Sequence, residues 1–473
     1  MASGAYELRS WVDVATPHAD VRSGDLAMGT YAANLAAVAL GESDDQPSVY
    51  TDAREFFAST YFTEAMVTLI ESTWKALAGK PVDRVVQLRT PFGGGKTHAL
   101  LALYHLARSR DSARDVPELS ELEEVPDVRV AVLSGEYLDP QRGRDVGGRT
   151  IKTLWGELAY QLGGWEAYDS LLVDGEEGTA PGGERLGALL RGGPALILLD
   201  EALIYLVKGR ALPMGESDMA RQTLVFIQNL TEAVNGAKEA AVVYSLQASV
   251  GEAIQEEELL RDLEHIAARI DTRREPVTGD EVLKVVQRRL FEDLGDPEVG
   301  KQVARAHAEL YQRELEASAE TEDDRRDAVD AARDLERRIE LSYPFHPELI
   351  DIMNHRWGSL PDYQRTRGAL QFLATVVHSL WSRSGETRVD ALIGPGDVDL
   401  TDGQTRGVFF EQVGGKDQFL SVVEADFISA DAGTALVDRH IGRESPGIAN
   451  LKVGTRVSTT IMLMSFGARE GED

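Results

Sequence analysis

A glycine-rich turn that ends in lysine and threonine is the segment of this sequence best suited to chemistry. It reads Pro91-Phe92-Gly93-Gly94-Gly95-Lys96-Thr97-His98. The glycines allow backbone N–H groups to turn inward around phosphate oxygens. Lys96 is expected to reach the β- and γ-phosphates, and the Thr97 hydroxyl to hold Mg²⁺. The usual pattern starts with glycine where this chain has Thr90. The turn predicts an ATP–Mg²⁺ site to which all eight residues contribute.

An acidic pair follows an uninterrupted apolar run farther along the chain, in Ala195-Leu196-Ile197-Leu198-Leu199-Asp200-Glu201. A run without polar alternation is typical of a parallel strand buried on both faces. Asp200 is expected to hold Mg²⁺ through its water shell, and Glu201 to polarise the water that attacks the γ-phosphate. The alternative for Asp200 is a buried strand followed by an acidic helix cap. The presence of the Lys96 turn favours the catalytic interpretation.

The flanking sequence predicts the elements that position these residues. An apolar run, Val85-Val86-Gln87-Leu88, comes two residues before the turn and reads as a strand. A helical pattern follows the turn over 99–106, which is the strand–turn–helix context that a phosphate-binding loop requires. Further strands are expected over 128–133, 195–199 and 240–246, and a helix from Thr150 to Leu162. Together they predict an α/β fold in which helices flank a parallel sheet.

Along the chain, four segments are expected. A helical N-terminal region over 1–80 precedes the sheet domain, which covers 81–277. After residue 279 the patterns are helical, so 278–393 is expected to form a helical lid. The segment 394–473 has no assigned fold, although its apolar stretch 453–466 suggests a strand with a helix, or a chain cut from a longer one.

Composition excludes several classes of protein. The 473 residues suffice for two or three domains, and 43% of them are hydrophobic. The absence of cysteine excludes disulfides and thiolate metal sites, so a reducing cytoplasm is expected. No signal peptide and no apolar run of about 20 residues is present, which predicts a soluble chain without membrane contact. With 49 basic and 79 acidic residues the net charge is −30, so any DNA contact is expected to be indirect.

Several motifs together resemble a known family. They are Asp20-Val21-Arg22-Ser23-Gly24, Phe56-Phe57-Ala58-Ser59-Thr60-Tyr61, Phe92 to His98, and Gln364-Arg365-Thr366-Arg367-Gly368. From near residue 10 onward the chain resembles the AAA+-like P-loop ATPases of domain-of-unknown-function family 499. The resemblance implies ATP and Mg²⁺ as ligands, and DNA-modifying partner proteins encoded in anti-phage clusters. Members are typically longer, so the chain resembles their N-terminal ATPase portion.

The same resemblance implies further nucleotide contacts. A polar sensor is expected after the strand 240–246, with Ser245, Gln247 and Ser249 as candidates and Gln247 assigned to the site. Any polar residue at a strand end would also satisfy backbone groups there.

Two arginines are expected near the γ-phosphate for the same reason. Arg269 is the candidate for a finger that reaches a neighbouring subunit in a homo-oligomer, with Arg273 and Arg274 as alternatives. Complementing a helix C-terminus would explain these arginines equally well. Arg367 is the candidate for a second sensor in the lid, with Arg365 as its alternative. A surface salt bridge is the other explanation for Arg367.

Three functions compete at this point. The first is Mg²⁺-dependent ATP hydrolysis that drives a DNA-directed, anti-phage or restriction-type assembly. The second is an ATP-gated switch or scaffold with negligible hydrolysis, which recruits partners. A nucleotide kinase is the third, and the predicted lid helices and finger arginine disfavour it. Glu201 favours hydrolysis, because a switch does not need a carboxylate that polarises water.

Overall fold

The computed structural model describes residues 8–24, 26, 33–41, 47–88, 95–172, 179–245, 272–274, 281–360, 363, 365–385, 390–429 and 431–467. The strands within them are β1 (Thr16–Pro17), β2 (Val85–Leu88), β3 (Arg129–Ser134), β4 (Arg144–Val146), β5 (Arg149–Ile151), β6 (Ala195–Asp200), β7 (Pro213–Met214), β8 (Ser217–Asp218), β9 (Ala240–Ser245), β10 (Thr272–Arg274) and β11 (Phe291–Asp293).

The helices before residue 240 are α1 (Ala19–Ser23), α2 (Leu35–Leu40), α3 (Ser48–Thr51), α4 (Ala53–Ser59), α5 (Glu64–Leu77), α6 (Lys96–Arg108), α7 (Leu154–Leu171), α8 (Gly183–Leu190), α9 (Ala202–Gly209) and α10 (Met219–Gly236). Those after residue 280 are α11 (Glu281–Leu290), α12 (Pro297–Ser318), α13 (Glu322–Ser342), α14 (Pro347–Asp351), α15 (Arg365–Ser382), α16 (Gly403–Val413), α17 (Lys416–Val423), α18 (Gly433–Glu444) and α19 (Val453–Met464). Among these described helices, none combines the length and apolarity that a bilayer span requires.

The chain divides into two compact units. The sheet unit comprises Ala33–Thr278, and the helical unit combines Met1–Ala32 with Gly279–Asp473. The helical unit is therefore built from two stretches of chain that the sheet unit separates in sequence. The division into four segments that the sequence suggests stays a prediction.

The sheet unit is built on five parallel strands in the order β10-β2-β9-β6-β3. Every residue of β6 and of β9 is buried, as expected for central strands covered on both faces. Side chains alternate between the faces, so that Val242 and Ile197 pack against helices α7 to α10. Val243 and Leu198 pack on the opposite face, against α5 and α6. The sheet thus places the ends of β2, β6 and β9 side by side at its carboxyl edge.

The helical unit packs around Trp357, which is fully buried. The indole contacts Phe372 of α15 and Phe409 of α16, and its Nε1 donates a hydrogen bond to the carbonyl of Leu463 at 3.0 Å. The N-terminal stretch joins this core through Trp11, which packs edge-on against Phe291. The segment after residue 394 therefore forms helices that close the same core.

A partly buried polar cluster in the helical unit contains acidic and basic groups. Arg456 of α19 pairs with Asp390 and, at 3.1 Å, with Asp397. Burial raises the pKa of Asp397 to about 6, although Arg456 opposes the shift. Burial also lowers the pKa of His346 to about 4. Both groups are therefore held in an environment that disfavours their charged forms.

The predicted α/β fold is confirmed, with helices flanking a parallel sheet and a helical region after it. The structure differs from the sequence-based predictions in three places. Strand β11 follows α11 and pairs with β1, although no strand is expected after residue 279. The helix expected from Thr150 starts at Leu154, because 149–151 pairs with β4 as a hairpin. The apolar stretch 453–466 forms helix α19 and no strand.

Candidate functional site

The phosphate-binding half of the site lies at the start of α6. Lys96 is the first residue of this helix, and Thr97 and His98 follow it in the first turn. Gly95 precedes the helix with φ 74°, a left-handed conformation that favours glycine. The first N–H groups of a helix have no partner within it and attract anions. Pro91, Phe92, Gly93 and Gly94 lie outside the described residues, so the structure describes the Gly95–His98 half of the predicted cradle.

The acidic half of the site lies at the end of β6. Asp200 is the last residue of the strand and is buried. Side chains along a strand alternate between its two faces, so Asp200 shares a face with Leu198, two residues earlier. Leu198 packs on the face that carries α6. Asp200 therefore points to the same face of the sheet as the helix that begins with Lys96.

Ser245 links the two acidic residues. Leu199 pairs with Tyr244, so that Asp200 and Ser245 lie side by side on neighbouring strands. The Ser245 hydroxyl donates a hydrogen bond to Asp200 Oδ1 at 2.7 Å and accepts one from the backbone N–H of Glu201 at 3.3 Å. The serine is fully buried. Of the three sensor candidates, Ser245 is the one the structure describes, and Gln247 and Ser249 lie outside the described residues.

Glu201 has an uncommon backbone conformation. Its φ of 54° and ψ of 44° are left-handed, and it forms the N-cap of α9. Non-glycine residues in this region are uncommon and are found often at functional sites. The conformation turns the chain sharply from the end of β6 into α9, which places Glu201 directly beyond the sheet edge.

Gly135 approaches this turn from the neighbouring strand end. Its N–H donates to the carbonyl of Asp200 at 2.9 Å. A Cβ atom at Gly135 would lie 2.1 Å from the carbonyl oxygen of Glu201 and 3.1 Å from the backbone nitrogen of Tyr205. Only glycine fits this approach, a requirement that the sequence gives no means of recognising.

The imidazole of His98 contacts helix α4 and the residue that follows it, Thr60. Thr60 donates its hydroxyl hydrogen to the carbonyl of Phe56 at 2.7 Å, so His98 Nε2 donates to the Thr60 oxygen at 2.9 Å. The ring also lies 4.5 Å from that of Phe56, centroid to centroid. These contacts fix the first turn of α6 against α4.

The candidate arginines are placed only in part. Arg269 lies outside the described residues. Arg273 and Arg274 belong to β10, where they pair in register with Gln87 and Leu88 of β2. Arg367 lies in the first turn of α15, in the helical unit, and the structure does not describe its side chain. The finger and second-sensor roles stay predictions.

The described residues suit a nucleotide–Mg²⁺ complex. No three His, Asp or Glu side chains in the described part of the chain come together as a preformed metal site. Mg²⁺ is commonly held by one or two carboxylates together with substrate phosphates. A single buried carboxylate, Asp200, on the same face as the N-terminus of α6 fits that arrangement, with the Thr97 hydroxyl as a second oxygen ligand.

Comparison with known proteins yields two family matches. The model described as DUF499 N-terminal domain matches residues 20–282, and the model described as DUF499 second domain matches residues 278–469. Comparison with curated proteins gave no match. Among solved structures, the Orc1 protein of Aeropyrum pernix in complex with DNA is similar at 16% identity with a TM-score of 0.31, over 85% of this chain and 78% of that chain.

Proposed function

The chain belongs to the DUF499 family, and from that premise we propose that it binds ATP with Mg²⁺ and hydrolyses the ATP, releasing the γ-phosphate. The observation that carries the proposal is the arrangement at the carboxyl edge of the sheet. There Ser245 holds Asp200 and the backbone of Glu201, on the face of the sheet where α6 begins with Lys96.

Each residue has a distinct role in this proposal. The Lys96 ammonium neutralises charge on the β- and γ-phosphates, while Thr97 and Asp200 provide oxygen ligands for Mg²⁺. Glu201 polarises the water that attacks phosphorus. The charge that develops on the γ-phosphate in the transition state is met by fixed dipoles at the start of α6. Bound Mg²⁺ adds charge neutralisation between the phosphates.

Residues outside the described part complete the proposed site. Pro91 to Gly94 supply the remaining backbone N–H groups of the cradle, and Gln247 acts as a polar sensor. Arg269 contributes from a neighbouring copy in a homo-oligomer, and Arg367 links nucleotide state to the helical unit. These assignments rest on the sequence motifs and on the family resemblance.

We further propose that hydrolysis drives a DNA-directed assembly of the anti-phage or restriction type, with DNA-modifying proteins as partners. The resemblance stated from the sequence motifs supports this role. The net charge of −30 favours contact with DNA through such partners over direct binding.

Two substitutions test the ATPase proposal. Lys96→Ala is expected to abolish ATP–Mg²⁺ binding in calorimetry, because the phosphate charge loses its counter-charge. Glu201→Gln is expected to retain binding and to release phosphate at a rate lower by about 10²-fold or more. Lys238→Ala is the matched control, since that lysine is exposed and pairs only with Glu239 in the described residues.

The outcomes separate the competing functions. Wild-type binding by Lys96→Ala would refute the phosphate cradle. ATP binding without measurable phosphate release by the wild-type chain would favour the ATP-gated switch. Loss of binding and of turnover together in Glu201→Gln would make Glu201 structural.

A further inference from the structure

Large exposed apolar side chains are concentrated near the C-terminal end of the described residues. Ten such side chains are exposed in the described part of the chain, and seven of them lie between residues 422 and 461. The seven are Val422, Ile428, Leu436, Val437, Ile448, Val457 and Ile461. Exposed apolar residues that cluster in this way mark interaction surfaces more often than singly exposed apolar residues do.

Three of these side chains lie on the packed helices α18 and α19 and define a surface that we call the C-terminal face: Val437, Val457 and Ile461. Val457 and Ile461 are four residues apart, so they share one side of α19. Val437 packs close to α19, since a Cβ at Gly454 would lie 2.7 Å from its Cγ1. Ile461 is 60% exposed, whereas Leu463 on the other side of α19 is fully buried. The face is thus the outer side of two packed helices.

Two exposed cations, Arg443 and Lys452, lie at the ends of the two helices that carry the C-terminal face. We call these two cations the basic rim. The other two basic residues of 433–464 are paired with acids elsewhere in the chain, Arg439 with Asp431 and Arg456 with Asp390 and Asp397. Of the two acids in the same segment, Asp438 accepts hydrogen bonds from the backbone N–H and hydroxyl of Thr455 and from Gly454. The surface therefore suits an apolar partner with negative charge around it.

A surface of that chemistry exists elsewhere on the same chain. Helices α12 and α13 pack side by side as a hairpin. Its end, residues 309–327, contains no buried residue, and we call it the arm tip. In α12 it begins at residue 309 and runs ten residues to the helix end, about 15 Å. Leu310 is 50% exposed, and Tyr311 beside it is also exposed.

The charge of the arm tip is opposite to that of the basic rim. Residues 309–327 contain eight acidic and three basic residues, a net charge of −5. Two of the acids lie near Leu310: Glu309 is adjacent to it in sequence, and Glu314 is one helical turn away. Because Leu310 and Ile461 are both exposed in the single chain, the two surfaces do not cover each other there.

We propose that the arm tip of one copy docks on the C-terminal face of a second copy. Leu310 and Tyr311 lie against Val457 and Ile461, and the acidic arm tip faces the basic rim. Burial of the apolar side chains provides affinity, and the charges select this pairing over contact between two like surfaces. An interface between two different surfaces of the same chain is head-to-tail, so it produces a ring or an open filament.

The proposal does not depend on nucleotide chemistry, so it is tested without ATP by sedimentation velocity over a range of concentrations. The wild-type chain is expected to assemble as concentration rises. Leu310→Asp disrupts the arm tip of every copy, and Ile461→Asp disrupts the C-terminal face of every copy. Each variant is therefore expected to remain monomeric. Val225→Asp, at a 44% exposed position on α10, is the matched control and is expected to assemble as wild type does.

Mixing the two monomeric variants gives the decisive result. The intact arm tip of the Ile461→Asp chain meets the intact face of the Leu310→Asp chain, and no second interface can form. A 1:1 dimer with nothing larger is therefore expected. A monomeric wild-type chain, assembly of Leu310→Asp, or a mixture that stays monomeric would each overturn the proposal. Circular dichroism of both variants establishes that these exposed substitutions leave the fold intact.

Discussion

Replacing Gly135 with alanine is expected to displace Glu201 and to slow ATP turnover while ATP still binds. The added Cβ would lie 2.1 Å from the carbonyl oxygen of Glu201, and 3.0 Å from its carbonyl carbon. Real Cβ atoms essentially never approach a heavy atom closer than 3.0 Å, so the two chain segments must separate by about 1 Å. The atoms in conflict are backbone atoms, which cannot rotate away as the end of a side chain could.

The size of the effect follows from that displacement. A shift of about 1 Å in a positioned catalytic group costs about 10²-fold in rate. Inserting a methyl group into packed structure costs about 1–3 kcal/mol in the free energy of unfolding. The three atoms nearest the added Cβ belong to Glu201 and Tyr205, so ATP–Mg²⁺ affinity is expected to change by less than about threefold, or 0.7 kcal/mol.

Three measurements on purified Gly135→Ala check this reasoning: phosphate release, calorimetric ATP–Mg²⁺ affinity and urea unfolding. Gly187→Ala is the matched control, since Gly187 lies within α8 and its nearest neighbour, the Arg191 guanidinium, would be 4.0 Å from the new Cβ. That control is expected to be as stable as wild type or more so, because alanine favours helix. Wild-type turnover and stability in Gly135→Ala would refute the close approach and its link to Glu201.

Three further predictions concern polar groups that are buried or partly buried. Ser245→Ala is expected to lower the free energy of unfolding by about 1.5–3 kcal/mol and to slow turnover, because Asp200 and Glu201 lose their shared contact; unchanged urea unfolding would contradict this. Because the pKa of Asp397 is raised to about 6, the unfolded chain ionises first, and stability is lost as pH rises from about 4 to 6; Asp397→Asn is expected to remove this loss in urea titrations at several pH values. His346, with its pKa lowered to about 4, acts in the opposite sense, so stability falls as pH falls from about 6.5 to 4, and His346→Gln should abolish that part of the pH profile.

Local patterns were enough to predict the central strands and the fold class. The runs 85–88 and 195–199 are short and mostly apolar. A glycine-rich turn comes soon after the first and an acidic pair directly after the second, a combination typical of buried parallel strands. The short strands β1 and β11 have two and three residues, too few for any periodicity to appear. They exist because their backbones pair across more than 270 residues of sequence.

Register between strands is the information that the sequence lacks at the site. Ser245, Gln247 and Ser249 are equivalent as polar residues near a strand end. The contact of Ser245 with Asp200 follows from the pairing of Leu199 with Tyr244, which the sequence does not reveal. The requirement for glycine at position 135 is equally invisible, because it comes from the backbone of Glu201 on the neighbouring strand.

The composition of the helical unit from two stretches of chain has a consequence for its synthesis. Trp11 emerges from the ribosome early, but its partners Phe291 and Trp381 belong to the second stretch. At about 5–20 residues per second, the roughly 250 residues between the stretches take about 13–50 s to synthesise. The sheet unit can fold in that interval, while Trp11 stays exposed to solvent on the nascent chain. We therefore expect the N-terminal stretch to be the part of this protein most dependent on chaperone protection during translation.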